Sequence, residues 1–273
     1  EVVRSIEVLG TNLLVVRPSQ VRKQVARREV RGFATSLVPE DCEAIAELAV
    51  VGEAAPAMSG GLRVRSDGGS MVATVLGSTT SFPSVRRFRL RAGRFFHADE
   101  DRASRRVAVL GARVAETLYP GEVPTGRILR IRGVPFEVVG VFEPKGVGAD
   151  GSDEDRQVVI PLRTALRRVF NVTWLDSVFV SVRDPRAMRA AESEIDALLR
   201  ERHRRPDDFA IQDRARFLSA RRETAEFLKR LTTGLAAVAL LVGGTGILGL
   251  MLLSVKERTG EIGLRMAVGA TPR

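Results

Sequence analysis

A single cysteine, Cys42, rules out an intrachain disulfide, whatever compartment holds the 273 residues. The two histidines, His97 and His203, are far apart and neither has a neighbour at metal-ligand spacing, so no metal site is read. Aromatic residues are scarce at 5%, with one Trp and one Tyr, which leaves little to stack on nucleic-acid bases. Lysine is scarce as well: only Lys23, Lys145, Lys229 and Lys256 among 43 basic residues, a bias we read as genome composition. No Gly-x-x-x-x-Gly-Lys-Ser/Thr phosphate loop occurs, so ATP hydrolysis is not expected of this chain, and no catalytic or cofactor-binding residue stands out. The sequence starts at Glu1 with neither an initiator Met nor a basic-then-apolar leader, and we expect a leader or a further spanning helix upstream.

What is present dominates the C-terminal end. Residues 235–255 run without a charge and are followed at once by Lys256-Glu257-Arg258. Rising about 1.5 Å per residue, such a helix covers roughly 30 Å, the hydrocarbon thickness of a bilayer. No second uncharged stretch of that length exists before it, so one helix is expected to span a membrane and a large soluble part to precede it. After the run, Lys256, Arg258, Arg265 and Arg273 outnumber Glu257 and Glu261, which places this end in the cytoplasm and the large domain outside.

The hydrophobic fraction of 44% is ordinary, so the soluble part should fold. The net charge of +10 is spread along it, densest at Arg86, Arg87, Arg89, Arg91 and Arg94 and at Arg102, Arg105 and Arg106. The only aromatic cluster is Phe82, Phe88, Phe95 and Phe96, and no recognition module accompanies it. Nucleic acid is therefore excluded as a partner; a solvated Arg-rich face or attraction to anionic lipid headgroups fits the charge.

Periodicity gives the soluble part an order. Residues 12–16 read as a strand, Pro39 with Glu40 and Asp41 opens a helix to about Leu48, and residues 50–57, 62–65 and 71–76 read as three strands around a Ser66-Asp67-Gly68-Gly69 turn. Cys42 falls on the apolar face of that helix as a small buried thiol. Near the end of the soluble part, residues 177–182 form a strand. Asp184-Pro185 starts a helix over 187–202 with Met188, Ala191, Ile195, Leu198 and Leu199 on one face, and residues 209–211 supply a returning strand. The two units look like halves of one ferredoxin-like sandwich, giving an α+β fold in which residues 1–80 and 171–212 form a split domain.

Residues 81–170 form the insertion: a strand at 106–110, a helix at 112–118, a hairpin of 127–132 with 136–142 across Gly133, and a strand at 157–161. Residues 146–155 read as a flexible acidic loop. Asp150, Asp153 and Asp155 resemble calcium-loop spacing, but the glycine is displaced and no helix pair flanks it, so a solvated loop is expected.

Residues 213–234 read as an unbroken stalk helix whose seam is Leu218, Ala225 and Leu228, continuous with the membrane helix and paired with a helix outside this chain. Within the membrane run, Ala239/Gly243 and Thr245/Gly249 stand at small-xxx-small spacing, which favours close helix–helix packing in lipid. Residues 256–273 suit a short amphipathic helix at the membrane surface, with Glu257, Glu261 and Arg265 one turn apart.

The run from Val255 to Ala270, Val-Lys-Glu-Arg-Thr-Gly-Glu-Ile-Gly-Leu-Arg-Met-Ala-Val-Gly-Ala, resembles the segment after the second membrane helix in permeases of the MacB/FtsX type. There the pattern reads Glu-Arg-Thr-x-Glu-Ile-Gly-x-Arg-x-Ala-x-Gly-Ala, and each fixed residue is present. Residues 10–16, 92–96, 107–111, 133–140 and 241–244 are similar to MacB-like sequences as well, so the resemblance covers nearly the whole chain. It implies a porter-like extracytoplasmic domain split by a smaller inserted one, in the order read above. It further implies a bacterial inner-membrane permease with four membrane helices, of which this chain holds the second, driven by a fused or separate ABC-type ATPase that carries the ATP and magnesium. The other implied partners are a second permease copy, an adaptor and outer-membrane channel, and membrane lipid.

On this resemblance the ATPase couples through Glu257, Arg258, Thr259, Glu261, Gly263, Arg265 and Gly269, and ATPase motion reaches the outer domain by mechanotransmission. Efflux or export is the first reading. An FtsX-like regulator of cell-wall hydrolases and a lipoprotein-release permease share the architecture; the external domain of the former is usually smaller than this one.

Overall fold

The computed structural model describes residues 12–25, 28–33, 35–148, 152–203 and 208–269; for residues 20–25, 28–33, 214–226, 261, 262 and 266 it describes the backbone alone. By contacts the chain divides into two units, Glu1–Leu218 and Ser219–Arg273. The first is a mixed α/β domain on one large sheet. The second is helical.

The first strand, β1 (Leu13–Pro18), is where the sequence places it, with its first four residues buried. A hairpin follows that sequence reading did not assign, β2 (Gln20–Val25) and β3 (Arg28–Phe33), paired with each other in a separate two-stranded sheet. Helix α1 (Pro39–Ala46) opens with Pro39 at its first turn, and the Asp41 carboxylate accepts the Val38 N–H at 3.0 Å, satisfying one of the amides a helix start leaves free.

Two separate strands were expected at 50–57 and 62–65. The structure has one, β4 (Val51–Ser66), pairing antiparallel with β5 (Gly69–Ser78) without interruption from Ala57↔Ser78 to Ser66↔Gly69. The Gly60-Gly61 step that reads as a break continues the ladder. Gly60 is small for a tertiary reason: a Cβ there would meet the Phe170 ring at 2.8 Å.

Between β5 and the end of the insertion come α2 (Phe82–Val85), β6 (Leu90–Gly93), α3 (Ala98–Arg102), β7 (Val107–Leu110), α4 (Ala112–Leu118), β8 (Ile128–Ile131), β9 (Val134–Phe142) and β10 (Gln157–Pro161). Gly133 has φ +85° between β8 and β9 and makes the expected two-residue turn with Arg132. After β10 come a helical turn and a π-helix across 162–170, then β11 (Ser177–Val182), α5 (Met188–Arg202) and β12 (Phe209–Asp213). Met188, Ala191, Ile195 and Leu199 of α5 are buried, as its period requires.

The sheet runs β12-β1-β11-β4-β5-β10-β7-β9-β6, with β8 bridging β4 and β9. Only β5/β10 and β7/β9 are parallel pairs. One core packs α1 and α5 on β1, β4 and β11 through Leu14, Ile45, Val180, Ile195 and Leu199. A second lies under α4 around Leu118, Ile131, Phe136 and Ile160. A third combines Leu13, Val15, Ala55 and Phe179 with Val107, Val109, Val139 and Phe142, so strands from both parts of the sheet share it. The phenylalanine cluster weighed above as a base-stacking surface belongs to this third core. Phe82 and Phe96 are 1% and 2% exposed, and Phe82 stacks on Phe88 at 5.4 Å between ring centres.

Two glycines separate close packing from open space. A Cβ on Gly140 would stand 2.3 Å from the Arg94 carbonyl oxygen, whereas on Gly61 it would meet nothing within 4 Å. Gly140→Ala is expected to cost about 2 kcal/mol or more and Gly61→Ala to stay within about 0.5 kcal/mol of the parent. Denaturant midpoints of the two variants check this.

Candidate functional site

The candidate functional feature is the last helix, α6 (Arg214–Ala267), 54 residues long. At about 1.5 Å per residue it extends roughly 80 Å, more than twice a bilayer core. It contains one segment long and apolar enough to cross a membrane, within Phe227–Arg265, and none of that segment is buried inside the protein. Leu235, Leu240, Leu241, Ile247, Leu250 and Leu253 are all more than half exposed. In water such a surface would be strongly unfavourable; in lipid it is the solvated state.

The stalk and membrane run, read from sequence as continuous, lie on this helix, and so do residues 256–267 of the segment that follows them. The surface helix expected to begin after Val255 is not set off by any turn, because the backbone ladder continues through Lys256, Glu257, Arg258 and Thr259. Gly243, Gly244, Gly246 and Gly249 do not interrupt it, and a Cβ on any of them would meet nothing within 4 Å. Ala239, Gly243, Thr245 and Gly249 leave small, uncovered ground on the helix surface. Thr245 Oγ1 donates to the Val242 carbonyl at 2.9 Å and Thr259 Oγ1 to Val255 at 2.8 Å, so both hydroxyls are satisfied within the helix and neither demands water.

Of the residues assigned to coupling, Glu257, Arg258, Thr259, Gly263 and Arg265 lie in the last turns of α6, and Glu261 lies there by backbone position. Gly269 falls just past the helix end with φ +95°, a left-handed conformation that glycine adopts without strain. The stalk seam divides: Leu228 is described and 57% exposed, while the side chains of Leu218 and Ala225 fall outside the described ones. Asp213, expected to begin the stalk, is instead the last residue of β12.

Inside the domain the structure brings together two charge clusters that sequence reading missed. The stretch expected to be a flexible acidic loop is built into the fold at both described ends. Val147 bridges Asp153, and both Asp155 oxygens accept backbone amides, from Lys145 at 2.7 Å and Gly146 at 2.8 Å. Asp153 pairs with Arg113 at 2.8 Å. These bonds occupy the carboxylates that resembled calcium ligands; Asp150 lies outside the described residues. Glu154 turns inward to Arg86 at 2.6 Å and Lys145 at 2.8 Å, with side-chain exposures of 7%, 9% and 18%. Arg86 also stands over the Phe179 ring and Lys145 over Phe88, so the cations are held by π faces as well.

The second cluster surrounds His203, whose ring nitrogens contact Asp208 Oδ1 at 2.9 Å and Asp41 Oδ2 at 3.1 Å. Both nitrogens are taken by carboxylates, which leaves no lone pair for a metal. Next to Asp41, Cys42 is buried, and that burial, with Glu43 and Asp41 adding, pushes its thiol up to about 12.

Comparison with known proteins decides the family. The sequence profile of the MacB-like periplasmic core domain matches residues 1–198. The chain belongs to that family. A macrolide export ATP-binding/permease protein MacB from Rhodospirillum rubrum is 39% identical over 272 residues, covering 99% of this chain and 41% of that protein. A pyoverdine export ATP-binding/permease protein PvdT from Pseudomonas putida is 34% identical over 276 residues, again spanning 41% of its length. This MacB-like chain thus spans about two fifths of the curated relatives it matches. Its fold is shared with the periplasmic region of MacB from Actinobacillus actinomycetemcomitans, at TM-score 0.65 and 21% identity over 82% of this chain and 97% of that one. It is shared also with the extracellular domain of the Gram-positive transporter YknZ, at TM-score 0.60 and 17% identity over 74% of this chain and all of that one.

The Glu154 cluster gives a test within the MacB-like domain. Glu154→Ala removes a buried anion that both Arg86 and Lys145 contact and should cost about 3–5 kcal/mol, whereas Asp153→Asn, on a pair whose Arg113 is well exposed, should cost about 1 kcal/mol or less. Thermal and denaturant unfolding of the two variants, compared at one pH, checks the contrast.

Proposed function

We propose that this chain is the part of a MacB-like ABC exporter that converts motion of a cytoplasmic ATPase into motion of an extracytoplasmic domain. The observation that carries the reading is the continuity of the backbone from β12, at the end of the ten-stranded sheet, through the apolar run to Glu257, Arg258 and Arg265 on one unbroken helix. A rigid rod that spans a bilayer cannot shift at one end without shifting at the other. The relatives named ATP-binding/permease proteins support an ABC-type ATPase as partner; in this reading ATP and magnesium bind on that partner.

In this reading residues 1–80 and 171–212 are a split ferredoxin-like porter domain, supported by the order β12-β1-β11-β4 with every neighbour antiparallel. Residues 81–170 are its inserted α/β domain, 213–234 the stalk, 235–255 the membrane helix and 256–273 the coupling segment. The protein sits in a bacterial inner membrane with its C-terminal end cytoplasmic, following the positive-inside balance of the last residues. Ala239, Gly243, Thr245 and Gly249 pack the helix against a neighbouring membrane helix, and a second permease copy completes the machine. An adaptor and an outer-membrane channel would continue the export route outward.

Exchanging the charges of the coupling pair tests the reading. In the complete permease, E261R together with R265E keeps an opposite-charge pair one turn apart, so the helix itself changes by only a few tenths of a kcal/mol. Export should fall at least about fivefold relative to ATP hydrolysis, with membrane insertion unchanged. Export that keeps pace with hydrolysis in this variant would count against coupling through this segment.

A further inference from the structure

His203 ends α5 and stands in a buried corner where three parts of the domain meet. Its side chain is 5% exposed; Asp41 comes from the first turn of α1 and Asp208 from the residue before β12, with side-chain exposures of 3% and 8%. Arg202 Nε donates to Asp41 Oδ1 at 2.9 Å, and the Val38 amide donates to Asp41 Oδ2. Just past β1, the Ser19 amide donates to the Asp208 carbonyl at 2.8 Å. The Phe209 ring closes it edge-on, 5.8 Å from the imidazole.

A neutral imidazole has one N–H and one bare nitrogen. Here each ring nitrogen faces a carboxylate oxygen within hydrogen-bond distance, so a neutral ring would set a lone pair against one of the two carboxylates. Only the imidazolium donates to both. With it, Asp41 and Asp208 are balanced by Arg202 and His203 among the described residues; without its proton, these four carry a net negative charge.

The geometry points to a charge-dependent latch: doubly protonated His203 ties α1 and α5 to the start of β12, and loss of its proton loosens the strand that continues into helix α6. The inference concerns this chain alone and does not depend on what the complete permease transports.

The pH window follows from the two ends of the latch. Burial opposes a charged His203, but hydrogen bonds and charge attraction from Asp208 and Asp41 outweigh it and raise its pKa. A raised folded value means the stabilisation is complete below the ordinary histidine value of about 6.5 and is lost as pH climbs through the folded one. Burial likewise opposes the Asp41 carboxylate, while the Val38 amide, Arg202 and His203 outweigh it and lower its pKa. Its stabilisation holds above the ordinary Asp value of about 3.9 and is lost as pH falls through the lowered one. The latch is closed between these limits.

The whole chain in detergent micelles, labelled with nitrogen-15 histidine, tests this directly, because only two histidines contribute and His97→Gln assigns them. At pH 6 both His203 ring nitrogens should carry hydrogen, with a deprotonation midpoint above about 6.5. Amide exchange of Phe209–Asp213, corrected for intrinsic base catalysis, should accelerate above that midpoint by about tenfold for each pH unit by which the midpoint is raised, while exchange of Gln157–Pro161 in β10 should not. Asp208→Asn should lower the midpoint and remove the extra pH dependence in β12. A single N–H tautomer at pH 6, with the proton on Asp208 or absent, would overturn the latch on the wild-type chain alone, whether or not the variant folds. So would identical β12 exchange profiles in the parent and a folded Asp208→Asn.

Discussion

The rest of the structure depends on the backbone running without a joint from β12 into α6. β12 is the last strand of the sheet, held in register against β1 from Leu14↔Asp213 to Pro18↔Phe209. Its final residue, Asp213, is followed directly by the first residue of the long helix. In the proposed mechanism, a displacement of the helix start at Arg214 is therefore a displacement of a hydrogen-bonded strand. The backbone ladder of α6 continues through its glycines, and in lipid a broken ladder would cost several kcal/mol per unpaired group.

In the proposed mechanism a strand passes on displacement only if the domain behind it resists. The sheet is joined across its middle by β4 and β5, whose ten paired positions connect the half that packs α1 and α5 with the half that packs α4. The opposite face reinforces the connection, because Phe82, Phe88, Phe142 and Phe179 belong to one core drawn from both halves. Close-packed interiors transmit strain instead of absorbing it. Glu154, held by Arg86 and Lys145, ties the last loop of the insertion to the same core.

How much of this could be read from sequence depends on the range of the interaction. The helix over 187–202 and the hairpin across Gly133 were legible because local periodicity and a turn residue decide them. Likewise the apolar run of α6 announces itself by length alone. The break expected at Gly60 does not occur because that glycine answers to the Phe170 ring, a contact that no local pattern carries. The acidic loop was misread because Glu154 meets Arg86 from 68 positions away, and His203 passed as an isolated histidine because Asp41 lies 162 positions before it. Paired buried charges leave no periodic trace, and these are the residues through which the domain is fastened. The coupling segment was placed by resemblance to a family, and its continuity with the membrane run emerges from the backbone.

Amide hydrogen exchange across α6, on the whole chain in lipid nanodiscs, tests the central claim most directly. An unbroken rod predicts protection that continues past both ends of the apolar run, from Leu228 through Gly263, with no interval of fast exchange near Gly234 or Lys256. A cluster of rapidly exchanging amides at either place would show a hinge between the stalk, the membrane helix and the coupling segment, and would contradict transmission through a single rigid helix.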